Sequence, residues 1–153
     1  MDQKELKPIV VSLLKSMGFS DIKVKSSLEG DYLKISIQSP PEQSNTLIGR
    51  NGEGIDALQL IVNLILNNQS QDWQRVLVNV NDYRESREEI IKQMASKAAQ
   101  NVKTTGKEVV LNYLPSHERR IAHMHLDQDE EIQTYSQGEG KYRRMVIGLA
   151  HQE

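Results

Sequence analysis

The residues best placed for chemistry lie in one short run, Gly49-Arg50-Asn51-Gly52. Two glycines three apart let a backbone bend sharply and let a bulky ligand come close, because neither carries a Cβ. Leu47 and Ile48 lead into the bend. An amphipathic helical pattern follows it, with Ile55, Leu58, Ile61, Val62, Ile65 and Leu66 at three- and four-residue intervals. Amides at the start of a helix are unpaired and sit at its positive end, so they suit a phosphate. A Walker-type loop is excluded, since no Gly-Lys-Ser/Thr follows. A dinucleotide fingerprint fails too, since no apolar strand runs directly into the bend. Arg50 is the cation of the bend, either a phosphate contact or a solvated loop arginine.

A second group lies toward the C-terminus. Arg119 and His123 are four apart, so on a helix they share one face. An arginine can fork two donors onto a phosphate. A histidine can donate to phosphate or stack on a base, and its charge changes near neutral pH. Arg120, Lys141, Arg143 and Arg144 could extend a positive strip across helix and hairpin. Neighbours on a strand point to opposite faces, so only one of Arg143 and Arg144 should join it. The other reading of Arg119 and His123 is structural: the pair ties helix to sheet through Glu118 or a backbone carbonyl. His117, His123 and His125 do not converge from one helix, so no metal site is expected. No cofactor is expected either. No nucleophile stands at a recognisable spacing from a base, so the chain does not read as an enzyme. Stacking on bases needs exposed rings. Tyr135 and Tyr142 flank the last hairpin, where they either stack or cap a small core, and Trp73 reads as packing.

The elements that must position these groups follow from periodicity. Leu6, Ile9, Val10, Leu13, Leu14 and Met17 share one helical face, with Pro8 near its first turn and Gly18 as its stop. Residues 22–28 and 32–37 alternate as strands around Glu29-Gly30-Asp31, and Pro40-Pro41 ends the second. A short helix over about 44–48 enters the bend, the main helix runs to about Leu66, and 75–80 is a third strand. Asp82 and Glu85 have the spacing of a capping box. It opens a helix carrying Ile90, Ile91, Met94, Ala95, Ala98 and Val102, with Gly106 as its stop. The chain thus reads as two domains, 1–81 and 82–153. In the second, 109–111 is a short strand and a helix begins at Pro115 or Ser116. Residues 132–136 and 142–149 are strands joined by 137–141.

The whole chain of 153 residues has 19 Lys and Arg against 21 Asp and Glu, a formal charge of −2. That is unusual for a nucleic-acid binder. Attraction to phosphate must come from local patches, and salt should weaken it. There is no cysteine, which excludes disulfides and thiolate metal sites. Without a long apolar run or a signal peptide, a soluble cytoplasmic protein with no membrane insertion is expected.

The pattern Leu47-Ile48-Gly49-x-x-Gly52-x-x-Ile55 resembles the signature of the KH (K-homology) RNA-binding domain. The order helix, strand, strand, short helix, helix, strand over roughly residues 3–81 is similar to its bacterial, type II arrangement, a three-stranded sheet packed on helices. The resemblance implies that Gly49, Arg50, Asn51 and Gly52 hold the sugar–phosphate chain of single-stranded RNA. The bases would lie beside the bend, between the helices and an edge of the sheet. Ile48 and Ile55 would line an apolar floor or serve as core. Asn51 stands where many members carry a second basic residue, and Glu53 adds negative charge, which implies modest affinity. The run from Leu114 to Arg120, with His123, is similar to the Arg-three-His domain. That domain is a small α+β unit of a three-stranded sheet and two helices that binds single-stranded RNA or DNA.

The order of the two motifs, with Tyr135 to Gly140 and Tyr142-Arg143-Arg144 at the close, resembles one bacterial family: Jag, the SpoIIIJ-associated proteins. The overall class expected is α+β. The separate N-terminal domain of many Jag proteins has no expected counterpart in these residues, so roles resting on it are not carried over. The family implies a non-enzymatic post-transcriptional, cell-envelope, cell-division or cell-shape regulator that pairs with itself or with a small KH-only partner. The competing class is an interaction adaptor using the KH fold as a dimer or partner surface.

Overall fold

A computed structural model describes residues 3–68 and 73–150, and the chain divides into two compact units, Met1–Arg84 and Glu85–Glu153. The first unit runs α1 (Gln3–Ser16), β1 (Lys23–Glu29), β2 (Tyr32–Gln38), α2 (Pro41–Ile48), a single 3-10 turn at Arg50–Gly52, α3 (Glu53–Asn67) and β3 (Arg75–Val80). Its sheet has the order β1-β2-β3, with β1 antiparallel and β3 parallel to the central β2. Leu33, Ile35 and Ile37 of β2 are fully buried against Leu6, Val10 and Leu14 of α1 and Leu58, Val62 and Leu66 of α3. Pro8 lies in the second turn of α1 rather than the first. It forfeits one helical hydrogen bond, which burial of three large side chains at four-residue spacing outweighs. At the end of α1, Gly18 takes φ 92° and its amide donates to Lys15, while the Phe19 amide donates to Leu14. That is the paired-bond C-cap that glycine favours. α2 begins at Pro41, three residues earlier than its sequence pattern suggested, because a proline loses nothing in a first helical turn.

The open edge of β3 is covered by side chains of α3. The amides of Gln74, Val76 and Val78 donate to Asn67 Oδ1 (2.7 Å), Asn63 Oδ1 (3.0 Å) and Gln59 Oε1 (2.9 Å). Four residues of helix rise about 6 Å and two of strand about 6.7 Å, so the two ladders stay nearly in step. An edge so occupied cannot pair with another strand.

Asn81 (φ 47°) and Asp82 (φ 53°) turn the chain from β3 into α4 (Tyr83–Thr105). The expected cap from Asp82 is replaced: buried Asn79 Oδ1 accepts from the Arg84 amide at 3.2 Å and the Val80 amide at 3.0 Å. Asp82 sits in the left-handed region, outside the extended conformation a capping residue takes. The division between units falls after Arg84. That guanidinium turns back to Val78 O (2.8 Å), Asp56 (3.1 Å) and Gln59 (3.1 Å).

The second unit continues with α4, then β4 (Val109–Val110), α5 (Ser116–Leu126), β5 (Ile132–Gln137) and β6 (Arg144–Leu149), in an antiparallel sheet of order β4-β6-β5. Ile91, Ala95 and Val102 of α4 pack with Ala122 and Leu126 of α5 on Ile147. Ile90, read from the sequence as part of this face, is exposed instead. β6 starts two residues later than expected because Gly140–Tyr142 closes into a 3-10 turn, with Tyr142 N bonded to Glu139 O and Arg143 N to Gly140 O.

Candidate nucleic-acid interface

In the first unit the bend is built by three glycines. Gly49 caps α2 at φ 71° and ψ −179°, a combination essentially confined to glycine. Asn51 (φ 52°) and Gly52 (φ 84°) are left-handed, so α2 and α3 do not merge into one helix. A Cβ on Gly49 would lie 2.6 Å from the Gly54 nitrogen, and one on Gly54 would lie 2.4 Å from Leu47 O. Gly54 was not singled out in the sequence. No sequence signal marks it: its need comes from the carbonyls of Leu47 and Ile48, which press directly on it. Gly52 is buried, with the Tyr83 ring against its α-carbon.

Arg50 projects from the bend and is exposed, while Gly49 and Asn51 are half-buried. Of the amides expected to suit a phosphate, three are engaged within the bend itself. The Gly49 amide donates to Asn45 O (3.0 Å), the Glu53 amide to Arg50 O, and the Gly52 amide to Gly49 O over a long 3.4 Å. Ile48 is half-buried, whereas Ile55 is 1 % exposed and packs in the core. Of the two readings open for Ile55, floor or core, its burial agrees with the core, where it supports the bend from beneath. Trp73, read as packing, is 71 % exposed, and Leu60, Ile61 and Leu64 of α3 are exposed as well. A helix apolar on more than one face leaves part of it in water.

In the second unit, Arg119 faces its own helix start. Nη1 donates to Leu114 O at 2.6 Å and Nη2 to Ser116 Oγ at 3.2 Å. His123 Nδ1 pairs with Thr134 Oγ1, joining α5 to β5. The alternative reading of this pair, a tie of helix to sheet through Glu118 or a backbone carbonyl, is met only in part: the tie to the sheet runs through the Thr134 hydroxyl, the carbonyl that Arg119 meets lies before α5, and neither contact involves Glu118. That carboxylate is 1 % exposed and takes a two-point hydrogen bond from Arg87 of α4, at 2.8 and 3.0 Å. The sequence held the signal: Glu118 falls in step with buried Ala122 and Leu126, and Arg87 with Ile91 and Ala95.

Arg120 and Arg143 are exposed. Arg143 precedes β6, so strand alternation does not divide it from Arg144. Arg144 donates to the main-chain carbonyls of Lys141 (2.8 Å) and Arg143 (3.1 Å), which fixes its guanidinium over the turn that carries the other two cations. His125 pairs with Ser96 (2.7 Å), a different neighbour from that of His123, and His117 is exposed. The exposed Tyr135 donates to Glu108 Oε1 at 3.0 Å, and that hydrogen bond, chiefly, raises its phenol pKa above the ordinary value. Among the described residues no helix is long and apolar enough to cross a membrane.

Residues 5–79 match the KH domain of KhpA/KhpB, and residues 89–148 match the R-three-H domain. The chain is similar to proteins named RNA-binding protein KhpB. The one from Bacillus subtilis is 36% identical over 132 residues, covering 85% of this chain and 62% of the relative. The one from Clostridium symbiosum is 33% identical over 129 residues, covering 84% and 57%. The one from Lactiplantibacillus plantarum is 35% identical over 103 residues, covering 67% and 32%. The chain spans less than two thirds of the length of each of these relatives. With both domain types present in the same order and this identity over most of its length, the chain belongs to the KhpB, or Jag, family.

Proposed function

We propose that this chain is a non-enzymatic protein that binds single-stranded RNA and acts in bacterial post-transcriptional or cell-envelope and cell-division control from the cytoplasm. The observation that carries the reading is the bend at Gly49–Gly52. It is kept from closing into a helix by left-handed residues and carries one exposed cation. The relatives' name, RNA-binding protein, supports the same reading. The second unit contributes a weaker contact, to RNA or single-stranded DNA, through Arg120, Lys141, Arg143 and Arg144. Two weak sites on one chain act on one strand at high effective concentration. The test is anisotropy of a labelled single-stranded RNA. Arg50→Glu should weaken binding by about tenfold, as expected for reversing one phosphate contact, with no change in melting temperature. Binding unchanged by Arg50→Glu overturns the assignment of the bend.

A second reading, a dimer or partner surface for a small KH protein, is favoured by Leu60, Ile61 and Leu64 on one exposed face of α3 with Trp73 exposed nearby. Contiguous exposed apolar surface of this kind marks interaction sites. Light scattering of the purified chain tests it: an assembly disrupted by Leu64→Lys supports a self-associating face. A monomer that captures no KH-only protein rejects it.

A further inference from the structure

We propose that the second unit carries a platform on which unpaired nucleobases stack, made of Tyr113 and Tyr142, and that Arg119 positions it. The inference rests on the RNA-binding reading above and assigns the chemistry of its second contact. Tyr113 is 40 % exposed and Tyr142 is 71 % exposed. Each ring is accompanied by a cation: Arg144 Cζ lies 5.4 Å from the centroid of Tyr113, and Lys141 Nζ lies 5.3 Å from that of Tyr142. The two pairs are joined, because the guanidinium of Arg144 donates to the carbonyl of Lys141. Rings and guanidinium planes both stack on bases, whose faces are alike enough for sequence-tolerant binding. The phosphates between successive bases would meet Lys141 and Arg144. A surface that alternates aromatic and cationic groups thus repeats the alternation of base and phosphate.

Exposed tyrosines stack well only if their backbone is fixed. Tyr113 stands between two buried leucines. The Leu111 amide donates to Met145 O at 2.9 Å, which ties the loop to β6, and Leu114 is buried in the core. The carbonyl of Leu114 receives Arg119 Nη1 at 2.6 Å. Arg119 therefore holds the residue next to Tyr113 and acts through it. This gives the arginine of the R-x-x-x-H spacing a task other than gripping phosphate.

The experiment uses the full chain and a labelled oligoadenylate of about 12 nucleotides, within the usual site sizes of single-strand binders, titrated at several salt concentrations. Tyr113→Ala should weaken binding about tenfold, the loss typical of one stacked base, while leaving the slope of log affinity against log salt unchanged. Tyr113→Phe should bind as the wild type. Tyr113→Leu, which keeps apolar bulk and guards against a folding defect, should bind as weakly as Tyr113→Ala. An abasic strand of the same length should bind wild type and Tyr113→Ala equally. Arg119→Ala should weaken binding in the wild-type background and add nothing in the Tyr113→Ala background. An additive loss with a lower salt slope would instead make Arg119 a direct phosphate contact and overturn its positioning role. If the wild type binds and the Tyr113→Ala/Tyr142→Ala double variant binds equally well, the platform is refuted while the RNA-binding reading stands. If Tyr113→Leu keeps full affinity, stacking is likewise refuted. If the wild type binds no single-stranded nucleic acid, both readings fall together.

Discussion

At the bend between α2 and α3 the structure removes side chains: Gly49 and Gly54 let two helix ends touch backbone to backbone, and Gly52 makes room for the Tyr83 ring. On the α5 and hairpin surface it does the reverse. Arg119, His123, Lys141 and Arg144 are all engaged with neighbours, and their positions depend on those engagements. The difference teaches where each region is vulnerable. A site made of backbone geometry fails when any atom is added. A site made of side chains fails when one is removed, and it degrades by degrees.

Breaking the first half of that comparison should give the largest effect. Gly54→Val places a branched carbon where even a Cβ meets Leu47 O at 2.4 Å and Ile48 O at 2.9 Å. Both are backbone oxygens and cannot swing aside. The loss expected is on the order of 3 kcal/mol or more, the range of severe overpacking, seen as early unfolding in a denaturant titration. Stability equal to wild type would mean that α2 and α3 can separate without cost. The same steric argument makes Gly49→Asp a poor probe of RNA contact, because it disturbs the fold as well as the site.

The second largest effect tests whether side-chain contacts in the other unit are equally rigid. Arg87→Ala leaves the carboxylate of Glu118 buried without its two-point partner. Removing one member of a buried pair costs about 3–5 kcal/mol. Arg87 is partly exposed, so about 2–4 kcal/mol is expected here. The double change Arg87→Met/Glu118→Leu should recover most of it, since an apolar pair needs no partner. A double variant as weak as the single one would show that the charges have a further task.

How much of this was legible beforehand depends on what kind of pattern encodes it. The alternation of Leu33, Ile35 and Ile37 and the four-residue spacing of Leu6, Val10 and Leu14 gave β2 and α1 directly. The two-glycine bend was legible as a motif. Gly54 was not, because its need arises from where α2 ends in space. Periodicity also cannot tell a buried apolar face from an exposed one on the same helix. Hence Ile61, which falls in the apolar pattern of α3, is exposed, and Trp73, read as packing from its place before β3, is exposed as well. The Arg87–Glu118 pair was legible in principle, as two opposite charges each lying on an otherwise apolar face. The 3-10 turn at Gly140–Tyr142 was hidden because the apolar run Met145-Val146-Ile147, with Tyr142 and Leu149 at its flanks, passes for one long strand.

The third effect sharpens the comparison on the proposed RNA. Arg50→Ala at the bend and Arg120→Ala on α5 each remove one exposed cation. Each should lower the salt slope of binding by about one if it meets a phosphate. The loss of affinity should be greater for Arg50, whose backbone is fixed by the glycines, than for Arg120. Equal losses in a salt titration would mean that both regions are only diffuse positive patches.

The smallest effect is in pH. Lys103 on α4 meets Asp129, beyond α5, at 2.8 Å and Glu131 at 3.6 Å. The hydrogen bond from Lys103 holds the Asp129 carboxyl below its ordinary value of 3.8, partial desolvation opposing. The same bond raises the ammonium above its ordinary 10.5. For Asp129 the folded pKa is depressed, so its contribution is present above the unfolded value and is lost as pH falls through the folded one. For Lys103 the folded pKa is raised, so its contribution is present below the unfolded value and is lost as pH rises through the folded one. Melting temperature should therefore show a shallow acid-side fall that Lys103→Met diminishes. Both groups are partly exposed, so added salt should reduce the fall as well. An acid-side slope unchanged by Lys103→Met would mean that this ion pair does not brace α4 against the chain beyond α5, and that the second unit relies on its buried pair and apolar core instead.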